Sequence, residues 1–221
     1  DGAGKSTVIG HLEDHFRAVV ATQKIHVGRP TPAWTTWLVR LLILGQRIGR
    51  GQAPAQGPGP STAAVADRGL LVALRYVCRA RDRCRAYARA RRWATQGRMV
   101  ICDRWPVAGF RLMEAAQLDD AEWAARGSWL LGILRRLEAR YYRKIPAPDK
   151  LIVLRLHPDI AVARKPTEPC QWLRARSQEV WDFDWSRTEA HVVDASQPLP
   201  DVVSQAAAQA WHALGSGPWH S

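Results

Sequence analysis

Apolar positions along this chain repeat first at helical spacing and then at strand spacing, and the alternation continues to its end. Val8, Ile9, Leu12 and Phe16 place an apolar stripe on a helix running from Ser6 to about Val19. Lys24-Ile25-His26-Val27 reads as a short strand, closed by Gly28-Arg29-Pro30. Trp34 to Ile48 follows as a second helix. From Gly49 to Pro60 the chain is rich in Gly, Pro, Ala and Gln, a composition that packs into no regular element, so a mobile loop is expected at 49–60. A long helix is predicted from Ser61, whose hydroxyl suits a cap, to Gln96, with Gly97 as its stop and Gly69 as a break within it.

Arg98 to Asp103 is an apolar run ending in a carboxylate, which predicts a buried strand with an acid at its carboxyl end. Helices are predicted over Val107–Gln117 and Ser128–Lys144, before Pro146-Ala147-Pro148. Lys150 to Leu156 is another core strand, Pro158 to Arg164 a short helix, and Glu168 to Trp181 a basic segment that is helical in part. His191 to Asp194 is the last strand and Pro200 to Leu214 the closing helix. Strands alternating with helices imply an α/β domain with a parallel sheet covered on both faces. At 221 residues there is room for one such domain and not for two large ones.

Charge adds an anionic partner to this picture. The net charge is +12, carried by 27 Arg against only 5 Lys, which suits a nucleotide, a nucleic acid or a membrane surface. Much of that Arg excess, with many Ala, Gly and Trp, is the composition of a GC-rich genome. Cys78, Cys84, Cys102 and Cys170 form no Cys-x-x-Cys pair and no metal-ligand spacing with His, so they are expected to be reduced thiols, buried or half-buried. The longest apolar run, Trp37 to Leu44, contains Arg40 and is too short to span a bilayer.

Candidate chemistry concentrates at Asp1-Gly2-Ala3-Gly4-Lys5-Ser6-Thr7. Glycines allow positive φ, so successive N–H groups can turn inward around phosphate oxygens. Lys5 would reach the β- and γ-phosphates, the Ser6 hydroxyl would ligate Mg²⁺, and the helix that begins there adds its positive end. Gly2, Ala3, Gly4, Lys5, Ser6 and Thr7 are therefore the expected ATP-binding residues. A complete motif has a further Gly upstream and a strand before it, so 1–221 reads as a single domain that starts inside the motif, with its first strand missing.

Other segments choose among phosphate-loop proteins. On the long helix stands Ala80-Arg81-Asp82-Arg83, followed by Gly97 and Val100-Ile101-Cys102-Asp103-Arg104-Trp105, with Arg83 twenty residues before Asp103. Pro148-Asp149-Lys150-Leu151 and Val193-Asp194-Ala195-Ser196 are weaker signals. With the opening motif, these residues resemble the thymidylate kinase family of P-loop nucleoside monophosphate kinases. The correspondence runs over nearly the whole chain and is dense in these four places.

The resemblance implies a three-layer P-loop kinase fold around a central parallel sheet, a cytoplasmic location, and ATP- and Mg²⁺-dependent phosphoryl transfer to a thymidylate-like monophosphate. A monophosphate acceptor is already an anion and needs no base; its chemistry needs fixed cations, mostly Arg, against phosphate repulsion. Arg29 and Arg104 would hold the acceptor phosphate, Arg83 and Arg79 would lie near its base, and Asp1 would accept from its sugar. Lys5 and Arg104, with Arg164 and Arg176 from a lid-like segment at 164–181, would be the catalytic cations. Asp103 would act on the metal through water, with Ser6, or else orient Arg104. Asp194 and Ser196 either cap the last helix or touch adenine.

Departures leave the acceptor open. Arg79 stands where the family has a Phe, and could stack or face solvent; no Ala-Tyr-Gln follows Trp105; the turn after the second strand shrinks to Gly28-Arg29-Pro30. A kinase of the same fold acting on a nucleoside or another metabolite is the alternative, in which case Asp1 or Asp103 is the candidate base. A regulator binding nucleotide or nucleic acid through the Arg-rich helix is the non-enzymatic alternative. The expected partners are small nucleotides, with a homodimer open, and neither nucleic acid nor membrane expected, since no basic amphipathic helix with exposed aromatics separates from the core.

Overall fold

The computed structural model describes residues 2–28, 30–48, 62–107, 110, 115–118, 123, 128–166 and 170–215. Within them the order is α1 (Lys5–Arg17), β1 (Thr22–His26), α2 (Trp34–Ile48), α3 (Thr62–Ala94), β2 (Met99–Asp103), α4 (Trp129–Tyr142), β3 (Leu151–Arg155), α5 (Pro158–Arg164), α6 (Cys170–Asp182), β4 (Ala190–Asp194) and α7 (Leu199–Gly215), with a 3₁₀ turn at Trp185–Arg187. The protein is mixed α/β, and every strand pairing among these residues is parallel.

The strands form two two-stranded sheets, β1 with β2 and β3 with β4, in place of the single central sheet expected from the sequence. No strand among the described residues bridges β2 and β3. Both pairs nevertheless share one apolar cover. Val8, Leu12 and Phe16 of α1 and Val202, Ala206 and Ala210 of α7 meet Met99 and Ile101 of β2, Ile152 and Leu154 of β3, and Val193 of β4. Fully buried Phe16 lies at the middle of this cover, tilted against Trp211; cutting such a ring to Ala costs about 3–5 kcal/mol.

Strand periodicity sends alternate residues to the opposite face. Ile25, Val100 and Cys102 pack there on Ala86 and Ala90 of α3. Behind β3 and β4, Val153 packs with Phe110 and Trp185, Phe110 stacking on both Phe183 and Trp185. This alternation matters for chemistry: with Met99 and Ile101 turned to α1, Asp103 is turned the same way.

Several sequence expectations need correction. α3 runs through Gly69, which is buried inside the helix and breaks nothing. The helix expected over Val107–Gln117 is not formed at its described residues, 107, 110 and 115–117. There the chain gives its donors elsewhere: Gln117 N–H and Leu118 N–H go to the carboxylate of fully buried Glu138 on α4, the latter at 2.8 Å. Cys170 is exposed, neither buried nor half-buried; all four cysteines are free thiols. The expected loop at 49–60 lies outside the described residues.

α2 departs most from expectation. Thr36 and Val39 are its buried residues among the described side chains, Thr36 donating to Asp82 of α3 at 2.6 Å, while Trp34, Trp37, Leu38, Leu41, Leu42 and Leu44 are 48–72% exposed. An apolar helix face with exposed aromatics does separate from the core. No helix among the described residues is long and apolar enough to cross a membrane.

Candidate phosphate site

The turn before α1 has the backbone that the glycines anticipate. Gly2 and Gly4 have φ of 80° and 76°, values that favour glycine. Gly4 caps α1 without any side-chain hydrogen bond to the first-turn amides, so no side chain competes there for an anion's place. Gly2 has a second reason to be glycine: a Cβ there would come 2.8 Å from the Ala161 carbonyl oxygen of α5. Buried Ala3 continues that contact, packing with Leu156, Ala161 and Ala195. The turn is thereby fixed between α5 and the segment after β4. Ser6 and Thr7, on the first turn of α1, are exposed.

Lys5 gathers three of the other predicted residues. Burial lowers its pKa below 10.5, and the like charges of Arg104 and Arg176 lower it further, while Asp103 works in the opposite direction. Positions 5, 103, 104 and 176 therefore share one electrostatic neighbourhood, with three cations and one carboxylate among the described residues. Such crowding is costly in an empty site and favourable around a polyanion.

Strand geometry delivers two of these groups. β2 ends at Asp103, and the next residue, Arg104, takes φ of 59°, the only non-glycine residue with positive φ among those described. Left-handed backbone at an Arg costs on the order of 1–3 kcal/mol and occurs where surrounding structure enforces it, often at functional sites. Asp103 Oδ2 stands 3.4 Å from His26 Nε2, its register partner at the end of β1. Asp103 Oδ1 is buried and accepts no hydrogen bond from the described residues.

The donor set fits magnesium bound in the usual way, through one carboxylate by way of water, a hydroxyl and the phosphates themselves. A three-residue cluster of His, Cys, Asp or Glu able to hold a metal by itself is absent among the described residues.

The remaining predicted residues divide. Arg164 donates to the Ala195 carbonyl at 3.1 Å, pinning α5 to the turn after β4. Arg83 is 4% exposed and gives its guanidinium to the Gly28 carbonyl at 3.2 Å and to the Tyr142 hydroxyl. Placed so, it ties β1's exit to α4 and has little surface for a base. Arg79 is half-buried on the same helix, within electrostatic range of Tyr142. Asp194 Oδ1 accepts from Ser196 N–H at 2.9 Å, a local turn that lies ahead of α7 and is not a bond to an amide of that helix. Trp105 packs edge-on against Tyr87 in the core. Asp1 and Arg29 lie outside the described residues.

Sequence reasoning missed His26 and Tyr142. His26 is visible only through the β1–β2 register, which no local pattern encodes. A cavity of about 930 Å³ also opens beside Trp105, Phe110, Tyr142, Asp149, Lys150 and Glu189. Its charged lining has two acids to one base, the wrong balance for phosphate, and it includes neither Lys5 nor Arg104. The Lys5 cluster is accordingly the candidate phosphate site. No protein-family model matches the chain, and no curated protein matches its sequence.

Proposed function

We propose that this protein is an ATP- and Mg²⁺-dependent kinase of the P-loop type that phosphorylates a nucleoside monophosphate, thymidylate-like by the resemblance of its motifs. The single observation that carries the reading is the meeting of Lys5, Asp103, Arg104 and Arg176 at an uncapped helix start entered through two positive-φ glycines. Amides of residues 3–6 and the Lys5 ammonium would hold the β- and γ-phosphates. Arg176, from α6, would approach the transferred phosphoryl group from the far side of the site, and Arg104 would take the acceptor phosphate in its planar fork. Magnesium would neutralise phosphate charge, with Ser6 and Asp103 holding it directly or through water. Asp103 Oδ1 has its lone pairs available for that water. Arg164 and Arg83 are assigned positioning roles, since each is spent on protein carbonyl or hydroxyl groups.

The finer fold assignment belongs to the same proposal. We read both strand pairs as parts of one sheet because α1 and α7 cover them together, with the three layers expected of a P-loop kinase.

The test is a screen of dTMP, other nucleoside monophosphates and nucleosides with MgATP. ADP release dependent on a monophosphate supports the proposal. Phosphorylation of deoxythymidine without dTMP turnover moves it to a hydroxyl acceptor, and failure to bind MgATP removes it.

A further inference from the structure

The end of β1 is arranged around one residue of the candidate site. Val27 N–H donates to the Asp103 carbonyl at 3.0 Å, and Gly28 N–H approaches the same oxygen at 3.4 Å. His26 Nε2 stands 3.4 Å from Asp103 Oδ2. The Gly28 carbonyl in turn accepts from the buried Arg83 guanidinium at 3.2 Å. Asp103 is thereby gripped through its main chain and through one carboxylate oxygen, by a strand end that is itself tied to α3.

The carboxylate oxygens of Asp103 have different surroundings. Oδ2 faces the imidazole, whereas Oδ1 is buried and accepts no hydrogen bond from the described residues. Register produces this. His26 and Asp103 are paired at the ends of β1 and β2, and Ile25, on the other face of β1, packs toward α3. Alternation then turns His26 and Asp103 together toward the side of the sheet that α1 covers. An imidazole at that register position can donate through Nε2–H and adds no charge of its own when neutral.

Such a donor has a purpose in this neighbourhood. The Asp103 charge acts on Lys5, and a carboxylate that can rotate beside an ammonium is drawn to pair with it. Turned that way, Asp103 would neutralise a cation meant for the phosphates and withdraw Oδ1 from the metal. A hydrogen bond on Oδ2 opposes the turn. Partners that orient a metal-directed group from behind carry real weight, and their removal typically costs about 10- to 100-fold in metal affinity.

We propose that His26 is a positioning residue for the metal side of the candidate site: its Nε2–H holds Asp103 Oδ2 and leaves Oδ1 available to the water of magnesium. The inference rests on the kinase reading above and adds to it a residue that touches neither nucleotide nor metal.

Calorimetric titration of the whole protein with ATP, once with magnesium and once with EDTA, tests this without any turnover. Wild-type protein is expected to prefer MgATP. His26→Ala is expected to lose about tenfold or more of that preference, with its affinity for metal-free ATP kept. Its circular dichroism spectrum should be unchanged, since the His26 side chain is 37% exposed. His26→Gln, whose amide N–H can stand where Nε2–H stood, is expected to recover most of the preference. Asp103→Asn should lose it alone, and His26→Ala added to that variant should cost nothing further, because both act through one carboxylate. A His26→Ala variant that keeps the wild-type preference overturns the role of His26 and leaves the kinase reading standing. An equal loss of affinity for both forms of ATP also overturns it, by showing a general structural role. Additive losses in the double variant, or no recovery in His26→Gln, overturn the hydrogen bond to Asp103 as the means. Wild-type protein that binds neither form, or both equally, defeats the metal-dependent kinase reading and this inference with it.

Discussion

Two regions of this molecule gather charge, and they differ in the signs that they bring together. Between α2, α3 and α4, every buried charge described has partners of its own. Asp82 receives Thr36 Oγ1 at 2.6 Å, Ala33 N–H at 3.2 Å and the Arg81 guanidinium at 3.1 Å. Glu138 takes two main-chain amides, and Arg83 bridges Gly28 to Tyr142. Around Lys5, Arg104, Arg176 and Asp103 share one electrostatic neighbourhood, and burial with the like charges of Arg104 and Arg176 holds the ammonium below its ordinary pKa. A buried charge that the protein satisfies is holding the protein together. Like charges brought together by a helix start, a strand end and a separate helix are, on the proposed reading, arranged for the phosphates of a nucleotide.

The largest effects should separate the two regions by the quantity they change. Lys5→Ala and Arg104→Ala are each expected to lower ATP-dependent turnover by on the order of 10²–10³ or more, with melting temperature unchanged or raised. A normal turnover rate in either variant erases the distinction. Glu138→Gln should do the reverse. It weakens charge-assisted bonds to Gln117 and Leu118 amides, and a denaturant titration should show a loss of about 1.5–3 kcal/mol while MgATP affinity is kept. Equal stability in that variant would mean that the α4 carboxylate holds nothing. A finer split lies within the lid-like segment. Arg176 neighbours Lys5, whereas Arg164 is spent on the Ala195 carbonyl. Arg164→Ala should therefore cost only about tenfold, the value of one hydrogen bond, and Arg176→Ala considerably more; steady-state kinetics that reverse this ranking exchange the two roles.

The comparison also explains what could be read from the sequence. Elements were legible because their periods are local: α5 begins at Pro158 and ends at Arg164 as expected, and each predicted strand lies within two residues of its position. The opening turn was legible because Gly2 and Gly4 meet a backbone demand of their own. Pairing was not. Nothing local says that β2 and β3 go unpaired to each other, or that His26 comes opposite Asp103. Roles of individual arginines were equally hidden. Arg83 and Arg104 look alike in a motif, yet one ends among protein acceptors and the other beside Lys5, because the difference is made by residues far away in sequence. Apolar spacing misled in two places. Val107–Gln117 has helical spacing but is not helical at its described residues, where Gln117 N–H goes to Glu138, and Leu38 and Leu41 have core composition but face outward.

The smallest effect is a matter of protons, and it has a definite sign. Lys5 titrates below 10.5 in the folded protein, chiefly because it is buried. Between that lowered value and 10.5 the unfolded chain binds the additional proton, so stability attributable to this group rises with pH across the window. Below it, charged Lys5 destabilises the nucleotide-free protein. Lys5→Met should accordingly melt higher than wild type at neutral pH, and the gap should narrow as pH climbs toward 10.5. Bound MgATP opposes the shift, since an anion beside Lys5 favours its charged form. Calorimetric titrations of MgATP within the window, in two buffers of different ionisation enthalpy, should then record proton uptake by wild-type protein. Proton release would place the triphosphate away from Lys5, and the two buried regions would no longer differ in kind.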